Sequence, residues 1–189
     1  TFLIRSPVDL TLGINPNNGQ WGSPNQGEAF FNTMVALRHE QSIGGPGMIM
    51  TFHTSYVFLA DSDVMIETMP AFMHFADVNR KVQFVPGTFN IHKWIRPVDF
   101  GGELLNPSDP LVIKRGDPLF YVRLTTPDKD RITLERVTDL DKIKEVHYTI
   151  SATTSVKLFN KGFSLQRLYD MASGFLKGRS WNIKCPIKK

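Results

Sequence analysis

The sequence of 189 residues contains a single cysteine, Cys185. One thiol excludes an internal disulfide and any zinc site built from several cysteines. Long apolar runs are also lacking, and the longest, residues 56–60, is too short for a membrane span. Near the first residue only residues 2–4 form an apolar run, which is far shorter than the apolar region of a secretory signal. We therefore expect a soluble, cytoplasmic protein that has no membrane partner.

Short catalytic motifs are lacking as well. The chain has no Gly-x-Ser-x-Gly elbow and no glycine-rich phosphate loop. None of the five histidines is followed two residues later by a carboxylate, which is the spacing that a jelly-roll iron oxygenase needs on one strand. The sequence therefore identifies no catalytic residue and implies no cofactor. A divalent metal stays open only if scattered histidines converge in space, and the candidates are His53, His74 and His92.

What the chain does contain is typical of a globular protein: 41% of its residues are hydrophobic and 21% are charged. Prolines at positions 70, 86, 97, 107, 110 and 118 argue against long helices in the middle of the chain. Many short apolar segments separated by turn residues favour a mainly β fold, either jelly-roll-like or a sandwich or irregular barrel. We place this β-rich body at residues 1–137, with a long surface loop at residues 13–27 that contains Trp21.

Within the body, alternation and residue type predict individual strands. The predicted segments are residues 30–37, 48–53, 56–60, 64–68, 81–85 and 131–137. Residues 111–114 and 119–125 flank the sequence Arg115-Gly116-Asp117-Pro118, and this pattern predicts a hairpin with a four-residue connection.

The charge changes sign along the chain. Residues 142–189 carry 10 basic side chains against 2 acidic ones, a net charge of +8, whereas the preceding residues carry a net charge of −4. A short helix is predicted from Thr138 to about Val146, and an amphipathic helix from Ser164 to Lys177. We therefore expect residues 138–189 to form a basic, partly helical C-terminal part packed on the body. The apolar stripe of the second helix could instead face a protein partner or another subunit.

The densest group of chemically versatile side chains lies in residues 86–100. If this segment is a strand, His92, Trp94 and Arg96 share one face. An imidazole, an indole and a guanidinium together suit an anion or a sugar, and these three residues are the candidate ligand-binding site. The alternative is structural: an ion pair between Arg96 and Asp99 beside a partly buried Trp94.

Three segments carry a resemblance to known sequences: VPGTFNIHKWIRPVDF (85–100), LVIKRGDPLFYVRL (111–124) and IKCP (183–186). They are similar to β-rich, uncharacterised proteins of marine tailed phages and related environmental sequences. The resemblance covers the C-terminal half of the chain and transfers no functional residue. Residues 112–122 also resemble a strand–turn–strand that is common to cupins and to trimeric nucleotide hydrolases.

Three classes of function follow. The first is a non-enzymatic phage-type accessory or binding protein, located in the host cytoplasm if a phage encodes it, with a protein partner or a second copy of itself. The second is a metal-dependent jelly-roll enzyme of the cupin or oxygenase kind. The third is a nucleic-acid-associated protein that binds phosphates through residues 142–189.

Overall fold

The computed structural model describes residues 1–14, 19–23, 26–42, 45–93, 95–106, 108–128 and 131–159. Its elements are, in chain order, β1 (Phe2–Arg5), β2 (Leu10–Ile14), β3 (Trp21–Gly22), α1 (Glu28–Met34), β4 (Val35–Ser42), β5 (Gly45–Phe52), β6 (Met65–Pro70), α2 (Asp77–Lys81), β7 (Val82–Phe84), β8 (Gly87–Asn90), β9 (Phe100–Leu104), β10 (Leu111–Ile113), β11 (Pro118–Thr125) and α3 (Leu140–Phe159).

The strands of the described residues form three sheets. The first sheet has the order β1-β11-β6-β8, the second β10-β2-β3, and the third β4-β5-β9-β7. The pairs β1–β11, β2–β10, β4–β5 and β5–β9 are antiparallel. The predicted fold class is therefore confirmed: the protein is mainly β, with open sheets as in a sandwich or irregular barrel, and it has a helix towards its C-terminal end.

The first and second sheets share two antiparallel segments of the chain. Both segments bend at the same place, which we call the corner, and they pair in a different sheet on each side of it. Residues 2–5 pair with β11 and residues 10–12 pair with β10, so the same two segments run side by side through both sheets. At the corner, the backbone N–H of Ser6 donates to the Asp117 carbonyl at 2.9 Å, and that of Gly116 donates to the Ser6 carbonyl at 2.9 Å. The predicted hairpin is therefore wrong, because β10 and β11 leave this turn into different sheets.

The corner turn needs glycine at its third position. The Asp117 N–H donates to the Lys114 carbonyl at 2.9 Å, which closes a four-residue turn, and Gly116 has a φ of +89°. A type II turn requires this left-handed backbone, which only glycine adopts without strain. The Arg115 N–H also donates to the Asp9 carboxylate at 2.8 Å, so the Arg-Gly-Asp sequence serves as a structural corner.

Three phenylalanines join the third sheet to the first. The ring of Phe84 (β7) lies 5.3 Å from that of Phe100 (β9) and 5.6 Å from that of Phe120 (β11), and the Phe100 and Phe120 rings are 6.3 Å apart. Phe100 and Phe120 are almost completely buried. This phenylalanine cluster is the centre of the apolar core between the two sheets.

Gly102 allows β7 to lie close to β9. A Cβ atom at this position would overlap Cγ1 of Val82 and would come within 2.7 Å of the Gln83 carbonyl oxygen. Phe84 is paired directly opposite Gly102. Because Gly102 has no side chain, the Val82 side chain and the Gln83 backbone can lie directly against β9.

Three other strand predictions, for residues 30–37, 56–60 and 131–137, are wrong in part or in full. Residues 56–60 lie outside every strand, with an isolated bridge at Val57, because Val57 and Leu59 pack against Ile95 and Val146 instead of pairing in a sheet. Residues 28–34 form α1 before the chain enters β4, with Glu28 in the first turn and the Thr33 hydroxyl donating to the Ala29 carbonyl at 2.8 Å. A carboxylate near the helix N-terminus is favourable, and this local effect outweighs the β propensity of the aromatic residues. Residues 131–137 are irregular, because two alternating apolar side chains do not provide a strand with a partner.

The predicted loop at residues 13–27 is interrupted by strand structure. Gly13 and Ile14 belong to β2 and pair with Gly22 and Trp21 of β3. The half-buried Trp21 is therefore held in a short ribbon, in keeping with the β propensity of aromatic residues.

Contacts divide the chain into two compact units. The first comprises Thr1–Tyr56, Glu67–Thr88 and Pro97–Arg123, and the second comprises Val57–Ile66, Phe89–Arg96 and Leu124–Lys189. The predicted division at residue 137 remains a prediction.

In the second unit, one side of α3 is packed. Val146 is buried with Ile95, and Val57, Leu59 and Ile150 pack against these two residues. The helix begins close to the predicted start but continues well beyond Val146, to Phe159. No described helix has the length and hydrophobicity that crossing a membrane requires. The predicted helix from Ser164 to Lys177 and Cys185 lie outside the described residues.

We expect Gly102→Ala to lower the free energy of unfolding by about 1–3 kcal/mol, because the added methyl group overpacks the contact between β7 and β9. Gly101→Ala is the matched control, since a Cβ at Gly101 has nothing within 4 Å. Urea unfolding of both variants measures the difference. Equal stability of the two variants would contradict the close approach of β7.

Candidate interaction surface

The predicted ligand-binding strand at residues 92–96 is wrong over the part of it that the structure describes. β8 ends at Asn90, and residues 91–93 form a turn. The side-chain oxygen of Asn90 accepts hydrogen bonds from the backbone N–H groups of His92 (2.9 Å) and Lys93 (3.1 Å). Asparagine competes in this way with sheet hydrogen bonding, so the chain turns where simple alternation predicts a strand.

The three predicted ligand-binding residues therefore do not share a strand face. Nδ1 of His92 lies 3.1 Å from the Ala60 carbonyl oxygen, and Arg96 is half-buried. Trp94 lies outside the described residues. Asp99, the alternative partner of Arg96, has its Oδ2 atom 3.0 Å from Nδ1 of His53. Ligand binding at these residues remains a prediction.

The three histidines proposed as metal ligands each have a different environment. His53 contacts Asp99, His92 contacts the Ala60 carbonyl, and the His74 ring lies 5.8 Å from the Tyr121 ring. Among the residues that the structure describes, no group of three or more histidine, cysteine, aspartate or glutamate side chains could hold a metal ion. The described geometry therefore gives no support to a shared metal centre.

The contact between His53 and Asp99 follows from strand register. Phe52 is paired with Phe100, so His53 and Asp99 occupy the next position along the same pair of strands. The Asp99 side chain is 13% exposed and its buried Oδ1 atom has no hydrogen-bond partner among the residues that the structure describes, whereas the His53 side chain is 40% exposed. The carboxylate fixes the orientation of the imidazole. Two residues further on, Ser55 has a left-handed φ of 61°, which is uncommon for a residue other than glycine.

Among the described residues, large exposed apolar side chains cluster between β6 and α2. Phe72 and Met73 are each 68% exposed and Phe75 is 82% exposed. We call residues 72–75 the apolar loop. A single exposed apolar residue is ordinary, but three large ones within four residues are typical of an interaction site.

The backbone of the apolar loop is held by tight turns. The Phe72 N–H donates to the Pro70 carbonyl at 2.9 Å, and the His74 N–H donates to the Ala71 carbonyl at 3.0 Å. Phe72 and Met73 therefore occupy the two central positions of a turn, where glycine, proline, asparagine, aspartate and serine are the usual residues. Because Ala71 is buried, the turn points its two large side chains outwards.

Tyr121 supports the apolar loop from the sheet. Its ring lies 5.4 Å from that of Phe72 and 5.8 Å from that of His74. Tyr121 belongs to β11, where it is half-buried between the buried residues Phe120 and Val122. The loop thus rests on the outer face of the first sheet.

On its other side the loop is fixed through α2. The Asp77 carboxylate accepts a hydrogen bond from the backbone N–H of Val112 at 3.0 Å and lies 3.2 Å from Nζ of Lys81. Nζ of Lys81 also donates to the Asp109 carboxylate at 3.1 Å and to the Pro110 carbonyl at 2.6 Å. These contacts tie α2 to β10 and to the residues that precede it, so the loop has a rigid base.

The contacts of Lys81 with Asp77 and Asp109 change the pKa of its ammonium group. Burial lowers the pKa of the ammonium group, whereas its hydrogen bonds to Asp109 and Asp77 raise it, and the net result is a pKa above the ordinary 10.5. The two carboxylates therefore outweigh the desolvation of the charge.

Sequence reasoning missed the apolar loop because it searched for titratable and catalytic side chains. The available signal was the sequence Pro-Ala-Phe-Met-His-Phe directly after a strand, where large apolar residues stand in place of turn formers. The pair formed by His53 and Asp99 gave no comparable signal, since 46 positions separate the two residues.

Comparison of the chain with family models, with curated protein sequences and with solved structures gives no match.

We expect the stabilisation from Lys81 to be lost at high pH. Folding raises its pKa, so the contact stabilises the protein fully below pH 10.5 and loses this effect as the pH rises through the raised value. Urea unfolding of the wild type and Lys81→Met, from about pH 8 to about pH 11, should give a difference in stability that shrinks above the ordinary lysine pKa. Lys114→Met, at an exposed position, is the control. A difference that stays constant to the highest pH would contradict the prediction.

Proposed function

We propose that this protein is a phage-type accessory protein that works by binding another protein molecule through the apolar loop. The observation that carries the proposal is the exposure of Phe72, Met73 and Phe75 on a loop whose backbone is held by hydrogen bonds. A location in the cytoplasm, that of the host if a phage encodes the chain, belongs to the same proposal.

The energetics favour a covered loop. Burying one large apolar side chain contributes about 1.5–3 kcal/mol, so three together offer roughly 5–9 kcal/mol before the entropic cost of association. Association itself costs about 4–15 kcal/mol, so these side chains can anchor a complex but need further contacts around the loop. Leu105, which is 60% exposed, has no comparable group of exposed apolar neighbours in sequence and offers only a single side chain.

The shape of the site supports binding to a protein rather than to a small substrate. Substrates of enzymes bind in concave pockets lined by apolar side chains. The apolar loop has its large side chains at the outer positions of a turn, so it is suited to insert into a depression on a partner. Methionine and aromatic residues are also enriched in protein interfaces.

The nucleic-acid alternative depends on residues 142–189, most of whose basic side chains lie outside the described part of the chain. In the described part, Nζ of Lys144 lies 3.5 Å from the Asp141 carboxylate. A salt titration of DNA binding tests this alternative separately, since phosphate contacts make the affinity fall steeply with salt.

The proposal is tested by placing a photo-crosslinking amino acid at position 73 and, as a control, at position 105, in protein expressed in the bacterial cytoplasm. We expect a single defined adduct from position 73 and none from position 105. The adduct should disappear when Phe72→Ser and Phe75→Ser are added, while the melting temperature stays within the range expected of surface changes. The partner in the adduct is then purified and the complex is reconstituted. Identical adducts from both positions, or none from position 73, would overturn the proposal.

A further inference from the structure

We infer that the partner of the apolar loop is a second copy of this chain, with loop against loop about a two-fold axis. This inference rests on the proposed function, because it names the partner for the same surface. It is argued from charge, from composition and from area.

The charged side chains around the loop are balanced and already paired. Arg123 and Glu67 form an ion pair on the outer face of the sheet, with the Nε atom of Arg123 2.8 Å from the carboxylate. On α2, Asp77 pairs with Lys81 and with Arg80. Asp109 also pairs with Lys81, so these three acidic and three basic side chains neutralise one another and present no unpaired charge of their own to a second copy.

The pairing of these charges also makes strongly charged partners less favourable. A strongly acidic or strongly basic partner would find no excess of opposite charge around the loop, and charge complementarity is what steers such partners. A surface without net charge that is rich in phenylalanine, methionine and tyrosine has the composition typical of interfaces between identical subunits, which are the most apolar interfaces.

The area agrees with a two-fold pair. In an isologous interface each copy contributes the same patch, so every exposed apolar side chain is buried twice. Two copies of Phe72, Met73 and Phe75 remove roughly 800 Å² of surface, since one aromatic side chain buries about 150–250 Å². Tyr121 and the half-buried Leu3, which is opposite it on β1, add a smaller area, so the total comes close to, but stays below, the roughly 1,200 Å² at which stable interfaces begin.

Sedimentation velocity of the purified protein at micromolar concentration tests the inference. We expect a species of twice 21.4 kDa for the wild type and for Leu105→Ser, and the monomer for Phe75→Ser. The substitution acts twice in a two-fold interface, so the dissociation constant should rise at least about 100-fold. Circular dichroism should show that all three proteins have the same fold.

The single native cysteine allows a second measurement of geometry. In a Cys185→Ser background, Met73→Cys should form a disulfide between two copies under mild oxidation with copper phenanthroline, and Leu105→Cys should not. Two thiols are oxidised to one disulfide and the oxidant takes up the two electrons. A two-fold axis next to residue 73 is required for this result.

Three outcomes would overturn the inference. They are a wild-type monomer at all concentrations, an assembly that survives Phe75→Ser, and a disulfide yield that is the same at positions 73 and 105. If the wild type is a monomer but position 73 crosslinks to a different protein, the second copy is excluded while the proposed function stands. If position 73 gives no adduct either, both fail.

Discussion

The phenylalanine cluster is the contact on which the arrangement of the first and third sheets depends. Phe84, Phe100 and Phe120 come from β7, β9 and β11, so their rings link strands of two different sheets. The Phe84 and Phe120 rings are stacked at an angle of 16°, and the other two pairs are tilted, which are the arrangements that aromatic rings prefer. Gly102, which is paired with Phe84, has no side chain and therefore leaves room for Val82 and the Gln83 backbone beside this cluster.

The core and the apolar loop use the same residue type with opposite results. Phe120 is buried because the alternation of β11 turns it inwards, and Phe72 is exposed because a turn closed by Ala71 and His74 turns it outwards. Hydrophobicity favours burial but does not decide which side chains achieve it. The backbone decides, and the backbone of the loop is set by Pro70, by the buried Ala71 and by α2.

The fold class could be predicted from the sequence because alternation and turn residues are local. The pattern at residues 64–68 predicted β6, which runs from Met65 to Pro70, to within two residues at each end. What could not be predicted depends on distant partners. At the corner the chain passes from one sheet to the other, and this depends on hydrogen bonds from residues 114–117 to Ser6 and Asp9. The pair of His53 and Asp99 likewise joins segments that are 46 positions apart. The helix at residues 28–34, the apolar loop and the turn at Asn90 are local and were still not predicted. At Asn90 alternation favours a strand, whereas the asparagine side chain bonds to the backbone that follows it.

Rigidity and exposure of the apolar loop are connected. A flexible loop with two phenylalanines and a methionine would fold back onto its own sheet, because burial of those side chains is favourable in any direction that the backbone permits. The turn hydrogen bonds, the support of Tyr121 and the contacts of Lys81 remove that freedom. The same restraints reduce the conformational entropy that binding would otherwise cost, so a larger part of the burial energy is left for association. If a partner covers the loop as proposed, the network around Lys81 contributes to binding by keeping the loop in the conformation that is covered.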